Sequence, residues 1–518
     1  MVFSPTAYRR CFLPEKTPQK RKTGKSVFAN VLFSPILRSM TKPKTYFDFE
    51  LKPQQQKAFT ALCNFIESKS EKVFILKGYA GTGKTTLMSG LIKRLTEDKI
   101  PFALLASTGR AAKVLSDKAK TTANTIHSHI YVFKELSEDL EKMSELQNNL
   151  AVDDKGQVTL LFDLTPITSD SEKIYIIDEA SMVSDEVDKN TSFAKFGSGD
   201  LLGDILSYDT KGKFIFVGDP CQLPPIQQAN SPALSASHIS TKYNLQTAEF
   251  EMTDIIRQAN TNGIIEASFK LRHLFHTNPQ VKFANFPVKG HSNIFVENSH
   301  VGMLNRYIEK IKTEGFSHST LICQTNKHCS DLNKIIRSSF QNNKGRICEG
   351  DLLMVTQNNY LSDLVNGDQI VVLKIGNNEY RCGLSFLQVE VEEITSKSKF
   401  NLLLIEDILY STWTNLNTKQ HKDLMIDYFK RMKDKGIKQK DSAFNENMLK
   451  DPYLNALKTV YGYALTCHKA QGGEWNEVFL YLDNKIHGIK KPGIYQWLYT
   501  AVTRAKENLH LVNDWFIK

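Results

Sequence analysis

The sequence has no long apolar segment and no paired cysteines. No hydrophobic run approaches the roughly 18 residues that a membrane-spanning helix needs, and the most apolar stretches, such as residues 214–217, have the length of a β-strand. The eight cysteines are scattered without a Cys-x-x-Cys pair, which argues against a disulfide scaffold or a zinc site and is typical of a reducing compartment. These absences predict no membrane partner, no structural metal, and a location in the cytoplasm or nucleoid.

Little net positive charge lies outside the first 44 residues. Residues 1–44 contain ten basic residues and one acid, so they carry nine of the ten net positive charges of the chain. This segment lacks sustained periodicity and is predicted to be a disordered basic tail. Three explanations stay open: a solvated tail, an organellar transit peptide, and sequence upstream of a true start at Met40. Because the rest of the chain is nearly neutral, nucleic-acid binding there requires locally placed charge.

From residue 45 onward, helical and strand patterns alternate. The length of 518 residues is enough for roughly two to four domains. The periodicity of residues 54–68 places Ala58, Leu62 and Phe65 on one helical face. Strands that alternate with helices predict parallel sheets covered on both faces. Short apolar runs predict the strands at 73–76, 102–106, 174–177, 214–217, 319–324, 478–481 and 509–512.

A glycine-rich segment, residues 78–86, reads Gly-Tyr-Ala-Gly-Thr-Gly-Lys-Thr-Thr between a predicted strand and a predicted helix. Glycines in such a loop let backbone N–H groups surround phosphates, and the following helix adds a favourable dipole. Lys84 is predicted to contact the β- and γ-phosphates of ATP, and Thr85 to ligate Mg²⁺. The other predicted nucleotide contacts in this loop are Gly78, Gly81, Thr82, Gly83 and Thr86.

Two further strand ends carry polar groups that suit ATP hydrolysis. The strand at 174–177 is followed by Asp178 and Glu179, at the carboxyl edge where open α/β sheets bind ligands. Asp178 is predicted to hold the water shell of Mg²⁺, and Glu179 to polarise the attacking water. Gln222, in a Gly-Asp-Pro turn after the next strand, is predicted to contact the γ-phosphate. ATP and Mg²⁺ are therefore the expected cofactors.

In this order, the segments resemble the superfamily-1 helicases, and within them the RecD/Dda-like branch that moves 5′ to 3′. The resemblance covers most of residues 45–518. It implies that Gln55 reads the adenine edge and that Glu474 belongs to the nucleotide site. The matching motifs lie at 51–59, 78–86, 107–112, 125–127, 174–182, 218–224, 253–258, 465–474 and 499–505.

The resemblance also assigns arginine fingers and strand contacts. Arg257 and Arg504 are the implied fingers, and both lie far in sequence from Lys84, as a closing second domain requires. A guanidinium matches the charge that spreads over the γ-phosphoryl oxygens in the transition state. The implied contacts to nucleic acid are Ser107, Thr108, Arg110, His127, Thr466, His468 and Lys469.

The implied fold is α/β, with two RecA-like P-loop domains built on parallel sheets. The first is expected at 45–250, interrupted at 128–172 by a wedge or hairpin region. The second is expected at 251–345 and 456–518, interrupted at 346–455 by an SH3-like, β-rich and then helical insertion. Within that insertion, Asn366-Gly367 is a strong turn signal, and the lysine-rich run at 430–440 is interpreted as a solvated face rather than a nucleic-acid contact.

Residues 151–162 are predicted to form a short hairpin, with strands at 151–152 and 157–162 around a turn at 153–156. A hairpin this short must pack against other structure. The resemblance favours a wedge that separates strands at a fork, and a structural flap is the alternative.

The expected function is ATP-dependent unwinding by a DNA helicase that moves 5′ to 3′ on single-stranded DNA and acts on forked or 5′-tailed duplexes. Roles in DNA repair, recombination or replication would accompany it, and a monomer would suffice. The alternatives are a translocase that displaces proteins without unwinding and a non-catalytic strand-binding subunit of a recombination complex. Intact Lys84, Glu179 and Arg504 disfavour the last. RNA stays open as a substrate.

Overall fold

The computed structural model describes residues 46–143, 159–167, 172–187, 194–255, 262–340 and 345–518. The predicted basic tail, Arg257 and most of the predicted hairpin at 151–162 lie outside the described residues. None of the described helices is long and apolar enough to cross a bilayer.

The first lobe, within residues 46–255, is built on a six-stranded parallel sheet. The strand order is β3-β2-β6-β8-β1-β9. Val73 and Ile75 contribute to the core on one face, and Phe74 and Leu76 to the core on the other. The strands are β1 (Val73–Gly78), β2 (Phe102–Ala106), β3 (Ala123–Thr125), β6 (Ile174–Asp178), β8 (Lys213–Gly218) and β9 (Thr247–Met252).

Helices cover the first sheet, and the predicted helical face of α1 is buried. Ala58, Leu62 and Phe65 pack into the core, and Pro53 begins the helix, where its missing N–H leaves no hydrogen bond unmade. The main helices of this lobe are α1 (Pro53–Glu67), α2 (Lys84–Glu97), α3 (Gly109–Ala119), α4 (Ile126–Ile130), α5 (Leu201–Tyr208) and α6 (Ala236–Tyr243).

The second lobe, within residues 262–518, has a five-stranded parallel sheet with the order β10-β19-β18-β11-β17. Its strands are β10 (Ile294–Glu297), β11 (Ser319–Cys323), β17 (Ala464–Thr466), β18 (Trp475–Leu480) and β19 (Ala505–Val512). Its helices are α7 (Gly263–Thr277), α8 (His300–Glu314), α9 (Asn326–Ser338), α13 (Cys467–Ala470) and α14 (Gly493–Val502).

An antiparallel sheet, here called the inserted sheet, interrupts the second lobe with the order β15-β14-β13-β12-β16. Gly367 takes a φ of 97° in the predicted turn, and an isolated bridge joins Leu404 of one edge strand to Leu457, which precedes the other edge strand. The sheet extends past the expected boundary at residue 455. Its strands are β12 (Leu352–Val355), β13 (Gln369–Arg381), β14 (Leu384–Glu393), β15 (Lys399–Ile405) and β16 (Thr459–Tyr461).

Three inserted helices follow β15 and complete the α/β architecture. They are α10 (Glu406–Tyr410), α11 (Thr418–Asp434) and α12 (Ser442–Lys450). The predicted fold class, two parallel-sheet cores with additional antiparallel sheet, is confirmed.

A separate three-stranded sheet lies in the interrupted part of the first lobe, and it contains the last residues of the predicted hairpin. It has the order β4-β5-β7, with β4 (Tyr131–Leu136), β5 (Leu160–Leu164) and β7 (Ala194–Phe196). Residues 160–162, the end of the predicted strand 157–162, lie in β5 and pair with β4 and β7, whereas the predicted partner strand at 151–152 lies outside the described residues. Ring contacts stabilise the observed pairing: the Phe162 ring centre lies 4.6 Å from that of Phe196, in a stacked arrangement, and 5.6 Å from that of Phe133, edge to face.

The segment after β4 packs against the inserted helices of the other lobe. Leu140 is fully buried in a cluster with residues of α11 and α12. The Gln439 amide accepts a hydrogen bond from the Leu140 N–H and donates one to the Glu138 carbonyl. Lys433, from the lysine-rich run, forms an exposed ion pair with Glu141. The insertions of the two lobes therefore contact each other directly.

Candidate nucleotide and nucleic-acid sites

The glycine-rich loop joins β1 to α2 with the backbone that phosphate binding requires. Gly81 and Gly83 have φ values of 81° and 91°, in the left-handed region that favours glycine. The Lys84 ammonium donates to the carbonyls of Gly78 at 2.6 Å and Tyr79 at 3.2 Å. Thr82 is fully buried, and its hydroxyl donates to the Tyr79 carbonyl at 2.9 Å, so it supports the loop from beneath.

Two carboxylates follow one another at the carboxyl end of β6. Burial, reinforced by the neighbouring Glu179, raises the pKa of Asp178 to about 6. Glu179 has a φ of 51°, left-handed although it is not a glycine. Such backbone strain occurs most often at functional positions. A cation beside Asp178 would favour its ionised form.

One cleft of about 810 Å³, here called the interlobe cleft, is lined by residues of both lobes. It brings together most of the predicted nucleotide residues. Gly78 and Thr82 are not among its lining residues. The predicted residues that line it are Gln55, Gly81, Gly83, Lys84, Thr85, Thr86, Asp178, Glu179, Gln222, Glu474 and Arg504.

The lining of the interlobe cleft fits ATP and Mg²⁺. The Gln222 side chain is 5% exposed, and its amide oxygen has no hydrogen-bond partner among the described residues, so it is available to a ligand group. The Thr85 hydroxyl and the Asp178 carboxylate supply the oxygen ligands that Mg²⁺ prefers. Lys84 and Arg504 supply positive charge for phosphate oxygens.

Two neighbouring glutamines at the start of α1 have different hydrogen-bond partners. Gln55 lines the cleft, where its side-chain oxygen accepts a hydrogen bond from the Lys52 N–H at 3.1 Å. The Gln54 side-chain oxygen accepts hydrogen bonds from the N–H groups of Thr253 and Asp254, at 2.9 and 2.7 Å. The sequence did not indicate this role of Gln54, which anchors the segment that leads to Arg257.

Arg504 reaches the cleft from the second lobe and is 4% exposed. Its guanidinium donates to the carbonyls of Thr500 at 3.0 Å and Gly473 at 3.2 Å, and to the Thr503 hydroxyl at 3.3 Å. Neutral acceptors thus hold the guanidinium, and within the described chain it forms no ion pair. Its charge remains available for an anion.

A tyrosine of α14 connects the lobes beside the glycine-rich loop. The Tyr499 hydroxyl accepts a hydrogen bond from the Ala80 N–H at 3.0 Å and donates to the Asp219 carboxylate at 2.7 Å. Burial raises the pKa of Asp219. The next residue, Thr500, accepts a hydrogen bond from the Leu223 N–H. Tyr499 and Asp219 are 280 residues apart in the sequence. No sequence pattern indicates a contact between them, so the sequence did not predict it.

The predicted strand contacts of the first lobe are mostly engaged with protein. The Ser107 hydroxyl donates to the Met182 sulfur, and Thr108 caps α3. His127 packs beside aromatic rings, and burial lowers its pKa. The Arg110 side chain, predicted to contact nucleic acid, lies 5.0 Å from the Trp475 ring centre in the second lobe.

The second lobe places Thr466 and Lys469 in another cavity, of about 700 Å³. We call it the basic cavity, because Lys327, Lys334 and Lys469 are among its lining residues. His468 is not among them, and burial lowers its pKa. The structure thus places Thr466 and Lys469 in a cavity of the second lobe that shares no lining residue with the interlobe cleft.

Comparison with known families gives two matches. Residues 50–278 match a family described as an AAA domain, and residues 461–512 match the UvrD-like helicase C-terminal domain. The first match contains the glycine-rich loop and both carboxylates, and the second contains Arg504.

Relatives with similar sequences cover most of the chain. An uncharacterized protein of Acanthamoeba polyphaga mimivirus is 23% identical over 88% of this chain and 98% of its own length. The RecBCD enzyme subunit RecD of Buchnera aphidicola is 23% identical over 86% of this chain and 71% of its own. The ATP-dependent RecD2 DNA helicase of Deinococcus radiodurans is 23% identical over 84% of this chain. The match spans only 46% of that relative's length.

Among solved structures, the Pif1 helicase from Bacteroides in complex with ADP-AlF3 and single-stranded DNA aligns with 17% identity and a TM-score of 0.44. The alignment covers 91% of this chain and 94% of that structure.

Proposed function

We propose that this chain, which belongs to the superfamily-1 helicases of the RecD type, hydrolyses ATP to move 5′ to 3′ along single-stranded DNA and to unwind duplexes. One observation carries the proposal: a single cleft is lined by the glycine-rich loop and carboxylates of the first lobe and by Arg504 of the second.

The proposed hydrolysis divides its tasks among residues of both lobes. Lys84 and the loop N–H groups hold the phosphates, while Thr85 and Asp178 hold Mg²⁺, which neutralises phosphate charge when it is bound. Glu179 orients the attacking water and accepts its proton. Arg504 stabilises charge on the γ-phosphoryl oxygens, so hydrolysis depends on the approach of the second lobe.

Movement follows if the two lobes hold the strand at separate points. Thr466 and Lys469 lie on the second lobe, and the loop after them supplies Gly472 and Glu474 to the interlobe cleft. A change in the cleft is therefore transmitted over a few residues to the proposed strand contacts. Differential contact with the γ-phosphate would shift the population of open and closed arrangements.

DNA as the substrate is supported by the name of the Deinococcus relative, a DNA helicase. The direction of movement is carried over from the resemblance of the motifs to the RecD/Dda-like branch. The three-stranded sheet β4-β5-β7 is the proposed support of the strand-separating element.

The test is an unwinding assay on duplexes with a 5′ or a 3′ single-stranded tail, with the Glu179→Gln variant as the catalytic control. The proposal predicts ATP-dependent unwinding of the 5′-tailed duplex and little on the 3′-tailed one. Preference for the 3′ tail would reverse the assigned direction. Strand-stimulated ATP hydrolysis without unwinding of either duplex would instead indicate a translocase.

A further inference from the structure

The basic cavity lies at the carboxyl edge of the second parallel sheet. β11 and β17 are neighbours in that sheet, and the residues that follow them, at the start of α9 and in α13, line the cavity. Further lining comes from the segment after α10, which includes Trp413. The cavity therefore joins the second lobe to its own insertion.

The charge of the cavity wall favours a polyanion. Its charged lining residues are four cations and one acid, Asp331. Arg337 is held by the buried carboxylate of Asp351 at 2.8 Å. Lys327, Lys334 and Lys469 form no ion pair among the described residues. Free ammonium groups in a concave surface attract phosphates.

Trp413 is the most solvent-exposed of the four tryptophans in the chain. Its exposed fraction is 71%, compared with 47% for Trp515 and less than 5% for Trp475 and Trp497. The Ser411 hydroxyl fixes its backbone, accepting from the Trp413 N–H at 3.0 Å and donating to the Trp413 carbonyl at 2.7 Å. The segment therefore presents a large ring to solvent from a backbone held in place.

We propose that Trp413 stacks on a base of the bound strand while its phosphates contact Lys327, Lys334 and Lys469. An aromatic platform beside a cationic groove binds unpaired nucleotides with little sequence preference, because every base has a stacking face. This inference rests on the proposed function and adds a base-binding position in the insertion to it. It predicts that affinity depends on the presence of bases as well as phosphates.

The test compares oligothymidylate with an abasic oligonucleotide of the same length, in equilibrium binding by fluorescence anisotropy. Trp413→Ala should weaken oligothymidylate binding by about 5- to 150-fold, the range expected for one stacked base. It should leave abasic binding within about twofold. Trp413→Phe should retain most of the affinity, and Tyr380→Ala, which removes a 76%-exposed ring outside the cavity, should change nothing.

Salt dependence separates stacking from phosphate contact. Lys334→Ala should lower the slope of log affinity against log salt by about 0.7, the value for one phosphate contact on a single strand. Trp413→Ala should leave that slope unchanged. If Trp413→Ala weakens the binding of both oligonucleotides equally, or of neither, the stacking position is wrong.

The two proposals fail in different ways. If the wild-type protein binds no single strand and its ATP hydrolysis is not stimulated by one, the proposed function falls and the stacking position falls with it. If the wild-type protein binds and is stimulated, but Trp413→Ala behaves like Tyr380→Ala on both oligonucleotides, only the stacking position falls.

Discussion

Glu179 combines a strained backbone with a position in the interlobe cleft. Its φ of 51° costs a non-glycine residue about 1 to 3 kcal/mol, and the surrounding structure must hold it there. The sequence predicted this residue from an Asp-Glu pair at a strand end, but not its conformation. Glu179 lines the same cleft as Lys84. A fixed backbone conformation suits a carboxylate that must orient a water molecule there.

Glu179→Gln should reduce ATP hydrolysis by at least about 100-fold, the usual contribution of a general base. ATP affinity should stay within a few-fold, because Glu179 acts on water rather than on phosphate. Steady-state hydrolysis and binding of a fluorescent ATP analogue measure the two effects. The control Glu309→Gln removes an exposed carboxylate on α8 and should hydrolyse normally. Near wild-type hydrolysis by Glu179→Gln would contradict the assignment.

We expect Asp178 to make nucleotide binding sensitive to pH. Burial raises its pKa to about 6, and a cation ligand must be deprotonated, so Mg²⁺-dependent ATP affinity should fall by up to about tenfold per pH unit below 6. Titrations at pH values from about 5 to 8 measure it. The pKa is raised in the folded state, so this group also lowers the free energy of unfolding as pH rises toward 6.

The Asp178→Asn variant provides the control for that dependence. It should bind Mg²⁺ and ATP weakly at every pH, with a flat profile across the same range. A wild-type profile that is equally flat below pH 6 would show that Asp178 is not a ligand.

Tyr499→Phe should lower the free energy of unfolding by about 1 to 3 kcal/mol, because it removes the hydrogen bond to the buried Asp219 Oδ2 and the acceptor of the Ala80 N–H. Denaturant unfolding measures this, and Tyr380→Phe on the exposed surface is the matched control. An effect equal to that of Tyr380→Phe would mean that the hydroxyl does not join the lobes.

At the scale of elements, buried parallel strands were the most predictable feature. Such strands appear as continuous apolar runs, and β2 lies at the predicted 102–106 while β1, β6, β8, β11, β18 and β19 overlap their predicted ranges. The partner of β5 was not predictable in the same way. β4 precedes it by more than 20 residues, and the ring contacts of Phe162 that favour the pairing form only in the folded chain.

The contact between the insertions of the two lobes gives a prediction at this scale. Leu140→Ala removes a fully buried side chain from the cluster with the inserted helices, and a large-to-small change of this kind costs about 2 to 5 kcal/mol. Thermal unfolding should report the loss, and Val301→Ala, at a 68%-exposed position, should not. If the β4–β5 region supports strand separation, Leu140→Ala should reduce unwinding more than strand-stimulated hydrolysis.

At the scale of the whole molecule, the arrangement of the lobes determines which motif residues lie together. Residues 45–518 are nearly neutral as a whole. The structure nevertheless places the three lysines of the basic cavity close together. The sequence motifs supplied the residues of the interlobe cleft. The motifs did not predict the contacts of Arg110 with Trp475 and Gln369, because these contacts form between segments that are distant in the sequence.

We expect hydrolysis in the interlobe cleft to require Arg504 from the second lobe. The most direct test of this requirement is steady-state ATP hydrolysis by Arg504→Ala with and without oligothymidylate, alongside equilibrium strand binding. Arg306→Ala, which removes a partly exposed arginine of α8, is the control. Arg504→Ala should lose about 10³-fold of strand-stimulated hydrolysis, with strand affinity within a few-fold of wild type. Parallel loss of strand binding and hydrolysis, or normal hydrolysis by Arg504→Ala, would contradict it.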